Sequence, residues 1–481
     1  VQPLLDEFNQ LCLAQGYDAA LDLMLNLPLA ATKADSSLYR LLSKWGEYQR
    51  LVDMGEQLAA GRGATLNPQN RHVVLGNLGF AYDMLGNFRE ALRYHQMVKT
   101  LVVQNASSGM ELGPDADITS LSALASTYHS LGQYKRAMSY SQQVLDKIGG
   151  DVSQLIKTGA LTIQGAIHSA VGQSRQALNF HEQVYQIAQG LSNSDILSQA
   201  IANLGHAYLE LAQHEQAFGY LQLAYEMRRQ SGGKGALYDS LVSFGTYYSR
   251  LGDYEQARSY ADQALSLAEQ LGSLHKKAVA LHNIAHIHMR QERFEQAVVA
   301  NEAALQLTVL SGDSNAEAAA HSNVGYNLLR LDRPVEAADH YRQGLTIAEQ
   351  NDQHLIKASI LGGFGLLNLY RGDGKAAVRY LKQALAIFVD TDADGQLSTV
   401  WHHLGEAYQQ VGSSTIALSC YYKALALREA IRYPLIGETH REIAKLELTL
   451  LPNVKTKIKA QAERNAKRAD WRPYAEAEVL T

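Results

Sequence analysis

Residues 202–225 read ANLGHAYLELAQHEQAFGYLQLAY, and residues 242–265 read VSFGTYYSRLGDYEQARSYADQAL. Laid over one another, Gly205 meets Gly245, Tyr208 meets Tyr248 and Ala217 meets Ala257, each pair 40 residues apart. The alanine keeps that interval at Ala137, Ala177, Ala217, Ala257, Ala297, Ala337, Ala377 and Ala417. A fixed period of this length is the mark of a stacked-repeat solenoid. Such a fold grows by adding units and offers long surfaces rather than one pocket.

Inside a unit the apolar spacing is helical. Ile201, Leu204, Ala207, Tyr208 and Leu211 lie on one helix face, as do Ala217, Tyr220, Leu221, Ala224 and Tyr225 after a turn near residues 212–214. Each unit is therefore a hairpin of helix A, a short turn and helix B. Small residues recur on helix A at Gly79, Ala125, Gly205, Gly245, Ala285, Gly325, Gly365 and Gly405, where A must approach B closely. Tyr82, Tyr128, Tyr208, Tyr248 and Tyr408 fill the space beside them, with His168, His288, Leu328 and Asn368 as substitutes. Glycines such as Gly252 stand where helix A ends, a place that favours a left-handed residue.

The rest of the chain sets limits. It has 481 residues, 46% of them hydrophobic, and only 8 prolines, which suits helix. Net charge is −5, so no global basic field points to nucleic acid. Cys12 and Cys420 are the two cysteines, too few for a disulfide framework and suited to a reducing, cytoplasmic setting. No apolar run is long enough to span a membrane. The chain starts Val1-Gln2-Pro3, without Met or a signal sequence, and the expectation is a processed product or a piece of something larger.

The signature Leu78-Gly79-x-x-Tyr82, Gly86-x-Phe88, Ala91 resembles the tetratricopeptide repeat, in a long form similar to Pins/LGN scaffolds, kinesin light chains and bacterial multi-repeat signalling proteins. The resemblance implies an all-α fold, a right-handed superhelix with a concave groove lined by the A helices. Nine units are expected over residues 71–432, degenerate helical repeats over 1–70, and a capping helix with a basic tail over 433–481. Gly16-Tyr17 and Trp45-Gly46-Glu47-Tyr48 look like turns of the degenerate repeats. Gly61–Asn70 reads as a loop, and six extra residues fall within Ser107–Asp117. Leu435–Leu450 reads as the cap. Lys455–Arg472 reads as solvated helix, with a basic docking tail as the other possibility.

Three sets of residues are candidates for the groove. Two positions before the small residue stand Asn77, Asn203, Asn283 and Asn323. Amides carry donors and an acceptor, so the column either binds the backbone of an extended segment or ties neighbouring A helices together. Five positions after it stand Arg250, Arg290 and Arg330, read as a mid-groove stripe for carboxylates or as solvated helix ends. His282-x-x-x-His286-x-His288 has metal-ligand spacing, but His288 takes the packing tyrosine's place and no third ligand is evident. His282, His286 and the His402-His403 pair are therefore read as groove residues, with Tyr326 beside them, and no metal or other cofactor is expected. The chain has no phosphate-loop, paired CxxC or GxSxG sequence.

The function expected is non-catalytic binding of a protein or peptide-like segment, with acidic residues, in the groove. Two other readings stay open: a sensor arm of a larger signalling protein whose effector lies elsewhere, and a metal-dependent enzyme.

Overall fold

A computed structural model describes residues 2–14, 17–25, 39, 42–43, 46–62, 66–108, 112, 115–148, 154–231, 233–389, 391–431, 436–448, 452 and 456–460. Its described residues form helices and turns, with no strand. Among the described residues, α1 (Gln2–Leu13), α2 (Tyr17–Leu25) and α3 (Tyr48–Arg62) precede nine hairpins. The hairpins pair α4 (Pro68–Leu85) with α5 (Phe88–Ser107), α6 (Ala116–Ser130) with α7 (Tyr134–Lys147), and α8 (Gln154–Ala170) with α9 (Ser174–Gly190). Next come α10 (Ser194–Glu210) with α11 (His214–Ser231), α12 (Lys234–Leu251) with α13 (Tyr254–Gln270), and α14 (Leu274–Arg290) with α15 (Phe294–Ser311). The last are α16 (Ser314–Arg330) with α17 (Pro334–Gln350), α18 (His354–Tyr370) with α19 (Gly374–Phe388), and α20 (Asp394–Gln410) with α21 (Ser414–Ala430). Helix α22 (Ile436–Glu447) packs on α21 at the end.

The repeated residues make the A–B contact. The period alanines from Ala137 to Ala417 are fully buried, at 0% exposure. The tyrosine three residues after the small position stacks on a ring of helix B: Tyr82 on Tyr94, Tyr128 on Tyr140, Tyr208 on Tyr220 and Tyr248 on Tyr260, with centroids 5.4–5.6 Å apart. His168 does the same with Phe180, so the substitution keeps the stack. The tightness expected at the small position is uneven. A Cβ on Gly405 would stand 2.6 Å from the Tyr421 ring, whereas one on Gly245 would meet nothing nearer than 3.6 Å. At Gly245 the neighbours therefore accept a methyl group, and only larger side chains overpack.

Successive A helices touch more closely than successive B helices, so the wall curves toward the A side. The curvature brings the coil back onto itself, which the period does not announce. The turn of the first hairpin meets the sixth: Phe88 packs edge-on against His275 at 5.2 Å, and a Cβ on Gly86 would stand 2.6 Å from the His275 backbone nitrogen. The second turn meets the seventh and eighth hairpins, where Ser314 donates to the Leu131 carbonyl at 2.6 Å and Lys135 pairs with Asp352 at 2.9 Å. The third meets the eighth and ninth: Asp392 N–H donates to the Gly172 carbonyl, and the Asp392 carboxylate accepts from the Arg175 N–H at 3.2 Å. Five to six hairpins thus complete one superhelical turn, and a seam joins the first turn to the second.

The seam demands glycine in three of the turns. Gly86, Gly132 and Gly172 have positive φ, and a Cβ on any of them would strike the next turn of the coil at 2.5–2.9 Å. In the later turns nothing lies within 4 Å of Gly252, Gly372 or Gly412. There the same left-handed place is also filled by Ala212, Glu292 and Asp332, at φ of 57–61°.

Some expectations need correction or fall outside the described residues. Gly61–Asn70 is not all loop, because α3 runs through Gly61 and Arg62 and α4 begins at Pro68. Asn67 caps α4 by accepting from the Asn70 N–H at 2.8 Å, and proline suits a first helical position, which lacks an intrahelical N–H partner. Gly16 and Trp45 lie outside the described residues, as does the tail expected to be basic, apart from a short helical stretch at 456–460.

Candidate binding groove

The A helices α10, α12, α14 and α16 stand side by side, and polar contacts cross between them. His206 meets Ser243 Oγ at 2.8 Å through Nε2. Since the Ser243 hydroxyl donates to the Asp239 carbonyl, the imidazole N–H is the donor in the cross-helix bond. Ser249 Oγ meets His286 Nδ1 at 3.2 Å, and the Asn323 amide donates to His282 Nδ1 at 3.5 Å. His206, His286 and Tyr326 all follow the small residue by one position, so they form a central column that the same 40-residue ruler could have found.

The asparagine column divides. Asn323 ties α16 to α14, the helix-bracing alternative. Asn203 accepts from Gln199 at 2.9 Å, and Gln199 also accepts from the buried Arg228, so that amide belongs to an internal network. Asn77 and Asn283 are half-buried and make no side-chain hydrogen bond among the described residues. Their amides are the ones left open to a ligand.

The arginine column lies in the last turns of helices α12, α14 and α16, at the turn-side edge of the groove rather than along its middle. Arg250 is exposed and donates to the Leu209 carbonyl of the preceding A helix at 2.9 Å. Half-buried Arg290 donates to the Tyr254 hydroxyl at 3.3 Å, and Arg330 lies over the Phe294 ring at 4.6 Å while donating to Tyr326. A cation suits a helix C-terminus, so this placement has a local cause. The charges still act on the groove. Desolvation by the surrounding protein lowers the pKa of His286 to about 4, with His282, Arg290 and Arg250 adding to the effect. His286 is itself exposed, so its ring stands at the open surface of the groove. Burial also lowers His282. At neutral pH both rings are uncharged, and the positive field around them comes from the two arginines.

His402 does not line the groove as expected. It is buried, at 4% exposure, against Tyr421 and α22, with Nδ1 3.2 Å from Thr439 Oγ. Burial drives its pKa down to about 3. His288 keeps to the packing position and accepts from Arg258 at 2.9 Å, too far round the helix to join His282 and His286.

Tetratricopeptide-repeat family models match residues 120–153, 197–388 in four overlapping pairs of units, and 398–431, which together exceed half the chain. The chain is a tetratricopeptide-repeat protein. No curated protein sequence matches it. Among solved structures it is similar to a Rap protein complexed with competence and sporulation factor, at TM-score 0.58 and 12% identity, covering 76% of this chain and 99% of that one. It is also similar to the Rap conjugation gene regulator of plasmid pLS20 in complex with the Phr* peptide, at TM-score 0.47, 18% identity, and 82% and 97% coverage. A third is aspartyl phosphate phosphatase F from Bacillus subtilis, at TM-score 0.45, 14% identity, and 83% and 96% coverage. At these identities the likeness is one of fold. No helix among the described residues is long and apolar enough to cross a membrane.

Proposed function

We propose that this repeat protein is a non-catalytic scaffold that holds a protein or peptide segment carrying Asp or Glu against its A helices. The observation that carries the reading is the placement of Arg250 and Arg290 at the ends of neighbouring A helices, on the helices that also bring Ser249 to His286. The open amide of Asn283 lies on the same helix and can bond a backbone. An arginine fork offers two parallel donors to a carboxylate, and three such forks along one edge act together on a segment laid beside them. The chain's net charge of −5 does not oppose this, because the field that matters is local. The Rap protein of similar fold was solved with a bound factor, so a coil of this kind accommodates one.

The test is a titration of the partner captured from native lysate against the wild-type chain and the Arg250→Ala, Arg290→Ala, Arg330→Ala triple variant. Charged contacts at an exposed edge are worth about 0.2–1 kcal/mol each, so losing all three is expected to weaken binding roughly tenfold, through faster dissociation. Unchanged affinity contradicts the reading.

A further inference from the structure

The last hairpin carries a side-chain group that the groove reading does not use. In α20 the two positions that hold His282 and Asn283 in α14 hold His402 and His403, and the central-column position holds Glu406. One donor atom from each of the three lies within 4.8 Å of the others. His403 Nδ1 is 2.7 Å from Glu406 Oε2, and His402 Nε2 is 3.8 Å from Glu406 Oε1. The spacing is a consequence of the helix, since residues three and four apart share a face. The third ligand that the sequence reading lacked for His402-His403 is this glutamate.

We propose that His402, His403 and Glu406 bind one divalent transition ion of the zinc class, with a coordination position left open toward the groove. Metal–ligand bonds of about 2.0–2.2 Å put neighbouring donors roughly 3–3.6 Å apart. The observed separations bracket that range, so the tripod closes by small side-chain shifts. Two imidazoles with a carboxylate is a donor set suited to such an ion and unsuited to magnesium or calcium, which prefer oxygen.

The surroundings fix the ring that matters most. Thr439 Oγ accepts from Arg428 at 2.6 Å and lies 3.2 Å from His402 Nδ1. The hydroxyl can accept from His402 Nδ1–H or donate to a bare Nδ1, and either bond holds the ring in place. In the Nδ1–H tautomer the Nε2 lone pair lies on the Glu406 side, and metal binding selects that tautomer. An outer hydrogen bond on the far nitrogen is the usual way a metal-binding histidine is oriented. Without metal, the short contact between His403 and Glu406 needs a proton on His403 Nδ1. The ion takes that proton's place and bridges the two groups. The Arg428 charge stands behind Thr439 and is opposed by the Glu406 carboxylate. His402 is buried, while half-buried His403 and Glu406 leave a way in from the groove. The remaining position takes water or a donor atom from whatever the groove holds.

The test uses the full chain without a histidine tag, stripped with chelator and titrated with zinc chloride by calorimetry. Cobalt chloride in parallel reports the ligand set by its visible absorption. About one equivalent should bind. His403→Ala and Glu406→Gln should each weaken binding at least about tenfold, because even outer-shell losses cost that much. Both residues are partly exposed, so the variants should keep the wild-type circular dichroism, which is recorded alongside. Binding well below one equivalent, or binding that His403→Ala and Glu406→Gln leave unchanged, overturns the proposal.

Discussion

Gly86→Ala and Gly252→Ala make a matched pair that tests the seam. Both glycines end an A helix at almost the same backbone geometry, φ 77° and 82°. A left-handed alanine costs about 1–2 kcal/mol, and alanine's smaller unfolded entropy returns about 0.4–1. Each substitution therefore carries a net local cost of about 1 kcal/mol. For Gly252 that is the whole effect, since a Cβ there meets nothing within 4 Å. For Gly86 the new Cβ would stand 2.5 Å from His275 Cβ and 2.6 Å from the His275 backbone nitrogen. Real contacts are not that short, so the sixth hairpin must shift. Overpacking of this kind adds about 1–3 kcal/mol, or the seam parts to avoid it. Repeats couple mainly to their neighbours, so the assay must be local. Hydrogen exchange read by mass spectrometry should show Gly86→Ala deprotecting peptides around residues 273–280, nearly 200 residues away in sequence, while Gly252→Ala leaves them alone. Equal exchange at those residues in the two variants would refute the account of the seam.

Glu292 holds a left-handed conformation, φ 58°, in a turn where glycine is the usual choice. Glu292→Gly should raise stability by roughly 0.5–1 kcal/mol, the strain relieved less glycine's entropy, as a rise in the thermal midpoint; a fall would show that the side chain has a stabilising role. Acid should loosen the solenoid in a defined window. Burial holds His181 and His321 at about 4 and His402 at about 3, against about 6.5 in an unfolded chain. The folded state then binds fewer protons than the unfolded one, so this stability is full above about pH 6.5 and is lost as pH falls toward 4. Thermal melts at falling pH should show the midpoint dropping from there, and a flat profile contradicts it. Gly405→Leu should cost more than Gly245→Leu in chemical denaturation, because Tyr421 already fills the space at Gly405; the reverse order would remove the packing argument.

The hairpins were legible because one alanine, one small residue and one ring recur at a fixed interval, and burying them fixes both helices. The seam was not legible. Its partners, such as Leu131 with Ser314 and Gly172 with Asp392, are about 180–220 residues apart and follow no repeat. Glycine at Gly86, Gly132 and Gly172 does not mark it either, because Gly252, Gly372 and Gly412 are glycine in open turns. The loop expected at Gly61–Asn70 was misjudged because Pro68 opens a helix as readily as it breaks one. Arg250, Arg290 and Arg330 share one place in the period, but five residues past the small position is already the helix end. His402 shows the limit of reading by column: its neighbour α22 closes over it, and that helix lies outside the period.

The claim that the A helices form the binding face is tested most directly by protection from alkylation. In a Cys12→Ser background, Thr246→Cys puts a thiol in the central groove column, and Val299→Cys puts one on the exposed face of a B helix. The partner at saturation should slow labelling of the Thr246→Cys thiol and leave the Val299→Cys thiol unchanged. Protection of the Val299→Cys thiol with free labelling in the groove would contradict the account.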